Sequence, residues 1–132
     1  MYQPLFPDIT TPITWFGYAE EPSMRCRFVE FVESLPEKRQ AKLMARMLSW
    51  ARANNWLIVN PEIMHRLKDT TPPVYELKCF QERVLFTRCG NDAVAFAGYT
   101  KKDNWRRKDQ TALDASLKLA AAAAAECRSH GS

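Results

Sequence analysis

VYELKCFQERVLFTRCGNDAVAFAGY, residues 74–99, is the stretch that decides the fold. Three segments of it are rich in apolar, β-branched and aromatic residues, and we predict them as strands: Val74–Phe80, Arg83–Arg88 and Ala93–Tyr99. A polar bend at Gln81–Glu82 separates the first two strands. Gly90 and Asn91, which tolerate positive φ, form a hairpin turn before the third. The stretch therefore predicts a meander of three strands, and the small side chains of the third indicate burial against helices.

Two amphipathic helices are predicted before the meander. Apolar residues recur with helical spacing between Met24 and Leu35, and Ser23 precedes them as a suitable N-cap. A second helix is predicted from Glu37 to Asn54, with an apolar stripe of Leu43, Met44, Met47, Leu48 and Ala51. We expect the two helices to form a hairpin, because neither is stable until it covers a surface.

The flanks of these elements complete an α+β layout. Residues 1–22 are predicted to be an N-terminal arm or strand, with a strand-like segment at Ile13–Tyr18. A C-terminal Ala-rich helix is predicted within 109–128, since Thr111 and Asp114 have the spacing of an N-cap and its N3 partner. Residues 129–132 are predicted to be a disordered tail. The expected fold is a helical hairpin packed on a small, twisted, mostly antiparallel sheet, as one domain over residues 1–128.

Composition narrows the class of protein. The chain has 132 residues and a formal net charge of +4, and no apolar run approaches the roughly 20 residues of a membrane helix. The first residues lack the pattern of a secretory signal, so a cytoplasmic location is expected. Four cysteines without C-x-x-C spacing, beside only two histidines, predict free, buried or half-buried thiols. Neither a metal site nor a cofactor is predicted.

The chemistry that the sequence allows depends on cations. The sequence has no Gly-rich phosphate loop, no G-x-S-x-G elbow and no H-E-x-x-H motif. His65 is expected to be a surface or loop residue near the helix–sheet junction. Preorganised lysine and arginine side chains can stabilise the charge that develops when a phosphodiester is cleaved. The candidates are Lys78, Arg83, Lys101 and Lys102, which the meander would bring close together. The alternative is that they are solvated charges that protect strand ends.

The order of several short motifs resembles the RelE/ParE toxin superfamily, specifically its phage-derived HigB-like branch of type II toxin–antitoxin systems. The matching motifs are F-x-x-F-x-x-S-L-P-E-K at Phe28–Lys38, R-L-K-D at Arg66–Asp69, V-Y-E-L-K at Val74–Lys78, R-V-L-F at Arg83–Phe86 and Y-T-K-K at Tyr99–Lys102. Each motif is short, and it is their order and spacing across residues 24–102 that carries the resemblance.

The resemblance implies a RelE-like fold and a toxin that cuts mRNA on the translating ribosome without a metal. It places the catalytic role on Lys78, Arg83, Lys101 and Lys102, with 2′-hydroxyl attack giving a 2′,3′-cyclic phosphate and a free 5′-hydroxyl. The implied partners are ribosome-bound mRNA and a cognate helix-turn-helix antitoxin in a tight heteromer, and the free protein is expected to be toxic.

The sequence departs from the family pattern after Lys102, where the segment DNWRRK replaces the usual continuation and offers no catalytic-type tyrosine. The general base is therefore unassigned. We predict RNA contacts by Lys68, Tyr99, Trp105, Arg106, Arg107 and Lys108, because an aromatic ring among cations can stack a base while the charges bind phosphates. Trp105 could instead pack on the sheet edge and anchor the last helix. The alternative function is a catalytically silent relative, either a gyrase-directed toxin or a phage module that binds nucleic acid or protein.

Overall fold

The fold is described by a computed structural model over residues 1–53, 56–58 and 60–130. These residues form β1 (Tyr2–Pro4), β2 (Trp15–Tyr18), α1 (Arg27–Glu33), α2 (Glu37–Arg52), β3 (Met64–Arg66), β4 (Tyr75–Cys79), β5 (Glu82–Cys89), β6 (Asp92–Thr100), α3 (Arg107–Leu117), α4 (Leu119–Ala125) and α5 (Cys127–His130). None of the helices in these ranges has both the length and the apolar character needed to cross a bilayer.

The predicted meander is confirmed. Strands β4, β5 and β6 pair antiparallel, with Lys78 opposite Arg83 and Arg83 opposite Tyr99. Gly90 has φ +62° in the turn between β5 and β6, a conformation that glycine adopts without steric cost. The observed strands begin and end within two residues of the predicted ones.

The complete sheet is mixed and has the strand order β1-β2-β6-β5-β4-β3. Strand β2 runs parallel to β6, and all other neighbours are antiparallel. The predicted strand at Ile13–Tyr18 begins two residues later, at Trp15, and Tyr2–Pro4 adds an edge strand. The three-residue β3 was not predicted, because so short a segment shows no readable alternation.

The first face of the sheet packs against α1 and α2 through an apolar core. This core contains Trp15, Phe28, Leu43, Met47, Leu77 and Phe86. Helix α1 lies mainly against β6 and β2, whereas α2 lies against β4, so the structure does not confirm that the two helices form a hairpin. Gly98 of β6 explains part of this packing. A Cβ there would stand 2.2 Å from the ring of Phe31 on α1.

The structure corrects two predictions about α1, namely its first residue and its N-cap. Helix α1 begins at Arg27, with Cys26 rather than Ser23 at its N-cap position. Residues 20–25 are held in a tight turn, in which Glu20 and Arg25 form a β-bridge and Met24 has φ +60°. Ser23 accordingly donates to the Glu20 carbonyl oxygen instead of capping a helix. Helix α2 ends at Arg52, and its predicted end at 54–55 lies outside the described residues.

The second face of the sheet packs against the C-terminal helices. The Ala-rich helix exists as α4, and its Ala120 and Ala123 are buried in a second core with Leu85, Val94 and Phe96. The predicted cap at Thr111 is wrong. Helix α3 begins earlier, because the carboxylate of Asp109 accepts a hydrogen bond from the backbone N–H of Arg106.

The cysteines and the tail also differ from the predictions. Cys89 and Cys127 form a disulfide that joins the end of β5 to α5, whereas Cys26 and Cys79 are free and buried as predicted. The prediction of four free thiols failed because the pair is separated by 38 residues and meets only through the packing of α5. Ser129 and His130 of the predicted disordered tail belong to α5, and residues 131–132 lie outside the described part of the chain.

Candidate functional site

A cluster of polar side chains lies on the second face of the sheet, near the turn between β4 and β5. We call it the polar cluster and define it by His65, Glu76, Lys78, Arg83 and Tyr99. Successive residues of a strand point to opposite faces, so β4 places Leu77 and Cys79 in the first core and Glu76 and Lys78 in this cluster. Glu76 pairs across strands with His65, and Lys78 pairs with Arg83. Arg83 pairs in turn with Tyr99.

Glu76 occupies the centre of the polar cluster. Its side chain is buried, and its Oε2 accepts a hydrogen bond of 2.7 Å from the Tyr99 hydroxyl. Its Oε1 lies 3.6 Å from Nε of Arg83 and 3.9 Å from Nε2 of His65. Burial, and then the hydrogen bond to Glu76, raises the pKa of Tyr99. The tyrosine is therefore a fixed, neutral hydrogen-bond donor to the carboxylate at neutral pH.

Arg83 is held rigidly at one side of the cluster. Its Nη1 donates to the carbonyl oxygens of Phe80, at 2.6 Å, and Glu82, at 3.1 Å, and its side chain is 15% exposed. Within the described residues no hydrogen bond or ion pair involves Nη2. An arginine oriented in advance in this way can bind phosphate oxygens with little loss of side-chain freedom.

Lys78 lies directly opposite Arg83 and is half-buried. Its ammonium group makes no hydrogen bond or ion pair in the part of the chain that the structure describes. Lys78 and Arg83 are thus two cations on adjacent strands, and Lys78 has no anionic partner in the described part of the chain.

His65 is placed differently from its predicted position. It lies on β3 and is half-buried, and its Nδ1 is buried without a hydrogen-bond partner among the described residues. Burial lowers the pKa of its imidazole, with further lowering by Lys78 and Arg83 that the charge of Glu76 opposes. The imidazole is therefore neutral at pH 7. Sequence reasoning missed this placement because β3 itself was not predicted.

The two lysines that follow β6 have different surroundings. The backbone N–H of Lys101 extends the sheet by donating to Gln81, and its ammonium lies 4.7 Å from the centroid of the Trp105 ring. That ring is 5.7 Å from the ring of Tyr99, which links Lys101 to the polar cluster. Lys102 instead forms an exposed ion pair of 3.3 Å with Asp109 on α3. Of the four predicted catalytic residues, Lys102 is the one directed toward the C-terminal helix.

The residues predicted to contact RNA have different surroundings. Tyr99 belongs to the polar cluster, whereas Lys68 is exposed in the turn after β3. Arg106, Arg107 and Lys108 are exposed where α3 begins. Trp105 is half-buried and donates from Nε1 to Gln110, as expected if it packs on the sheet edge and anchors the helix.

A second charged pair marks the end of the sheet on the side of α2. Glu82 is buried, and Arg39 of α2 donates two hydrogen bonds to its carboxylate, which Thr100 also contacts. The hydrogen bond from Arg39 lowers the pKa of Glu82. Beside this pair, Phe80 is exposed and has φ +55°, a left-handed conformation that costs a non-glycine residue about 1–2 kcal/mol. Sequence reasoning did not single out Phe80, although an aromatic residue in a turn was a visible signal.

Neither a scan against protein-family models nor a search of curated proteins found a match to this chain. Within residues 1–53, 56–58 and 60–130, no group of three or more histidine, cysteine, aspartate and glutamate side chains is arranged to hold a metal ion.

Proposed function

We propose that this chain is a RelE/HigB-type toxin that cleaves mRNA on the ribosome. The observation that carries the proposal is the placement of Lys78 directly opposite Arg83, which pairs in turn with Tyr99, while the neutral His65 lies opposite Glu76 on the next strand. The strands that hold these residues contain the V-Y-E-L-K and R-V-L-F motifs of the resemblance. A RelE-like arrangement would also use α1 and α2 to cover the opposite face of the same strands.

The proposed reaction needs only groups of the polar cluster and the RNA. The 2′-hydroxyl of the RNA attacks the adjacent phosphorus while His65 accepts its proton. The bond from phosphorus to the 5′-oxygen breaks, which leaves a 2′,3′-cyclic phosphate and a 5′-hydroxyl. Arg83 and Lys78 stabilise the negative charge on the phosphate oxygens, and the departing 5′-oxygen takes up a proton for which Lys78 is the available ammonium donor.

The surrounding cations have a separate role in this proposal. Lys101 beside Trp105, and Lys102 with Arg106, Arg107 and Lys108 at the start of α3, bind phosphates that flank the cleaved one. Such contacts contribute affinity that depends on salt but little on sequence. Lys68 would extend the same surface from the turn after β3.

The proposed partners are ribosome-bound mRNA and a helix-turn-helix antitoxin in a tight heteromer, which places the protein in the cytoplasm. An antitoxin that inhibits this chemistry must either cover the polar cluster or prevent its approach to mRNA. The exposed cations around the cluster are complementary to an acidic segment of such a partner.

The experiment is to map the 3′ ends of mRNA held on programmed bacterial ribosomes with the wild-type protein and with Arg83→Ala. We expect cuts within the A-site codon that vanish with Arg83→Ala. The matched control is Arg25→Ala, which removes an exposed arginine paired with Glu30 near α1 and should leave cutting unchanged. A folded, antitoxin-free wild-type protein that leaves the mRNA intact would contradict the proposal.

One observation favours a second candidate, a catalytically silent relative. Arg83 is mostly buried and already contacts Glu76 and two backbone carbonyls, as a structural arginine would. In that case the chain is a gyrase-directed toxin or a binding module. Inhibition of gyrase supercoiling by a protein that does not cut mRNA would support this candidate.

A further inference from the structure

Phe80 has two properties that folding does not require. Phe80 is 74% exposed, although an aromatic side chain stabilises a fold through the hydrophobic effect only when it is buried. It also has φ +55° at the start of the turn between β4 and β5, where a glycine would be unstrained. A position that is unfavourable in both solvation and backbone conformation is a candidate for a role in binding.

The surroundings of Phe80 are cationic. The Lys42 ammonium lies 5.0 Å from the centroid of the ring. The ring lines an open pocket of about 480 Å³ together with Arg39, Lys42, Gln81 and Glu82. The charge of Glu82 is neutralised by Arg39, so Lys42 gives this pocket a net positive character. An exposed aromatic face beside a lysine is complementary to a nucleobase and its phosphate.

The turn that carries Phe80 is braced by residues of the proposed active site. Arg83 donates from Nη1 to the Phe80 carbonyl oxygen at 2.6 Å, and Lys101 donates its backbone N–H to Gln81 at 2.7 Å. The backbone of Phe80 is therefore in direct contact with the Arg83 side chain. Trp105, whose ring lies 5.7 Å from that of Tyr99, has the same pairing of an aromatic ring with a lysine, Lys101 at 4.7 Å.

We propose that Phe80 stacks on a nucleobase of single-stranded RNA next to the cleaved phosphate, while Lys42 contacts the phosphate of that nucleotide. This inference rests on the proposed function, since it assigns a base-binding position beside Arg83. Phe80 with Lys42 and Trp105 with Lys101 then give the RNA two aromatic–lysine contacts near the turn between β4 and β5.

The test is the binding of a fluorescently labelled, fully 2′-O-methylated single-stranded RNA of about ten nucleotides, measured by anisotropy at low ionic strength. The probe lacks a 2′-hydroxyl, so binding is measured without cleavage. Because stacking on one aromatic ring contributes a large part of the affinity for one base, Phe80→Ala and Phe80→Leu are expected to bind roughly 5- to 150-fold more weakly. Phe80→Trp should retain wild-type affinity, since it keeps a stacking face.

Phe80→Gly and Ile9→Ala serve as controls. Phe80→Gly should unfold at the same temperature as the wild type or higher, because glycine relieves the positive φ, and should still bind the RNA weakly. Ile9→Ala removes another exposed apolar side chain, outside the sheet, and should bind as the wild type does. Wild-type affinity in both Phe80→Ala and Phe80→Gly would overturn the inference and favour a protein contact for the ring.

This experiment and the mapping of mRNA ends can fail separately. If the methylated RNA binds and binding depends on Phe80, but mRNA is not cut on the ribosome, the stacking site stands and the proposed reaction fails. If mRNA is cut but the wild-type protein does not bind the methylated RNA, the stacking site is wrong and the reaction stands.

Discussion

The two faces of the central sheet differ most near the turn between β4 and β5. On the first face, Leu77 and Phe86 lie in a core closed by α1 and α2. On the second face, near the turn between β4 and β5, Glu76, Arg83 and Tyr99 form a network of charge and hydrogen bonds. Residues only one position apart in β4 therefore enter environments of opposite polarity.

The difference shows how a small domain can tolerate a buried carboxylate. A buried charge is expensive unless it is paired and hydrogen-bonded, and Glu76 has Tyr99 and Arg83 as partners. Apolar cores on both faces stabilise the strands, so this end of the second face can hold polar groups. Single substitutions can change one face of the sheet at a time.

His65→Gln should reduce cleavage by roughly 10²- to 10⁴-fold, because it removes the proposed general base while keeping similar volume. The pKa of His65 is lowered, so wild-type cleavage should fall as the pH drops through that pKa, below 6.5. Single-turnover cleavage on programmed ribosomes between pH 5 and 8 measures both effects. A variant with full activity and the same acid limb would show that His65 is not the base.

The same shift gives a separate effect of His65 on stability. Its folded-state pKa is below the unfolded value, so the unfolded chain binds the proton first and stability decreases as the pH falls below about 6.5. His65→Gln should weaken the dependence of the free energy of unfolding on pH below about 6.5. Urea unfolding at several pH values measures it, and an unchanged pH profile would mean that the imidazole is not shifted.

Phe86→Ala should lower the free energy of unfolding by about 3–5 kcal/mol, because it empties the centre of the first core. The ring is fully buried between Trp15, at 4.9 Å, and Trp50, at 5.2 Å. Phe80→Ala is the matched control on an exposed phenylalanine, and it should change stability far less. Equal losses in the two variants, measured by urea unfolding, would contradict the assignment of the core to the first face.

Cys127→Ser should lower the free energy of unfolding by about 2–4 kcal/mol under oxidising conditions, because the disulfide with Cys89 closes a long loop. This bond attaches α5 to the end of β5. Reductant should bring the wild-type protein to the stability of the variant and leave the variant unchanged. A wild-type protein with four titratable thiols after purification without reductant would show that the bond does not form.

Lys102→Ala should have the smallest effect. Lys102 forms an exposed ion pair with Asp109, so its removal should leave the urea midpoint unchanged and reduce cleavage less than Lys101→Ala does. Single-turnover rates of the two variants on ribosomes make the comparison. A larger loss from Lys102→Ala would show that the Asp109 pair opens and that Lys102 reaches the cleaved phosphate.

The meander and both groups of helices could be predicted because their signals are local. Alternation in β4 and β5 and the helical period of α1 and α2 are present in short windows of sequence. The hairpin of α1 and α2 was not confirmed, because the close contact of Phe31 with Gly98 depends on tertiary packing that no local pattern shows. The Cys89–Cys127 bond was missed for the same reason.

The candidate site was predictable only in part. The pairing of Lys78 with Arg83 followed from the meander, because the strands flank a short bend. His65 and Glu76 could not be added, since they meet only through pairing of the three-residue β3 with β4. The ion pair of Lys102 with Asp109 depends on where α3 begins, and the N-cap was predicted five residues late, at Thr111 rather than Arg106.

The central claim is that the polar cluster cleaves RNA by means of the RNA's own 2′-hydroxyl. The most direct measurement uses two mRNAs on programmed ribosomes, one unmodified and one with a single 2′-deoxy nucleotide on the 5′ side of the mapped cut. The account predicts that the wild-type protein cuts the unmodified mRNA at that position and leaves the 2′-deoxy position intact. A cut at the 2′-deoxy nucleotide would contradict it.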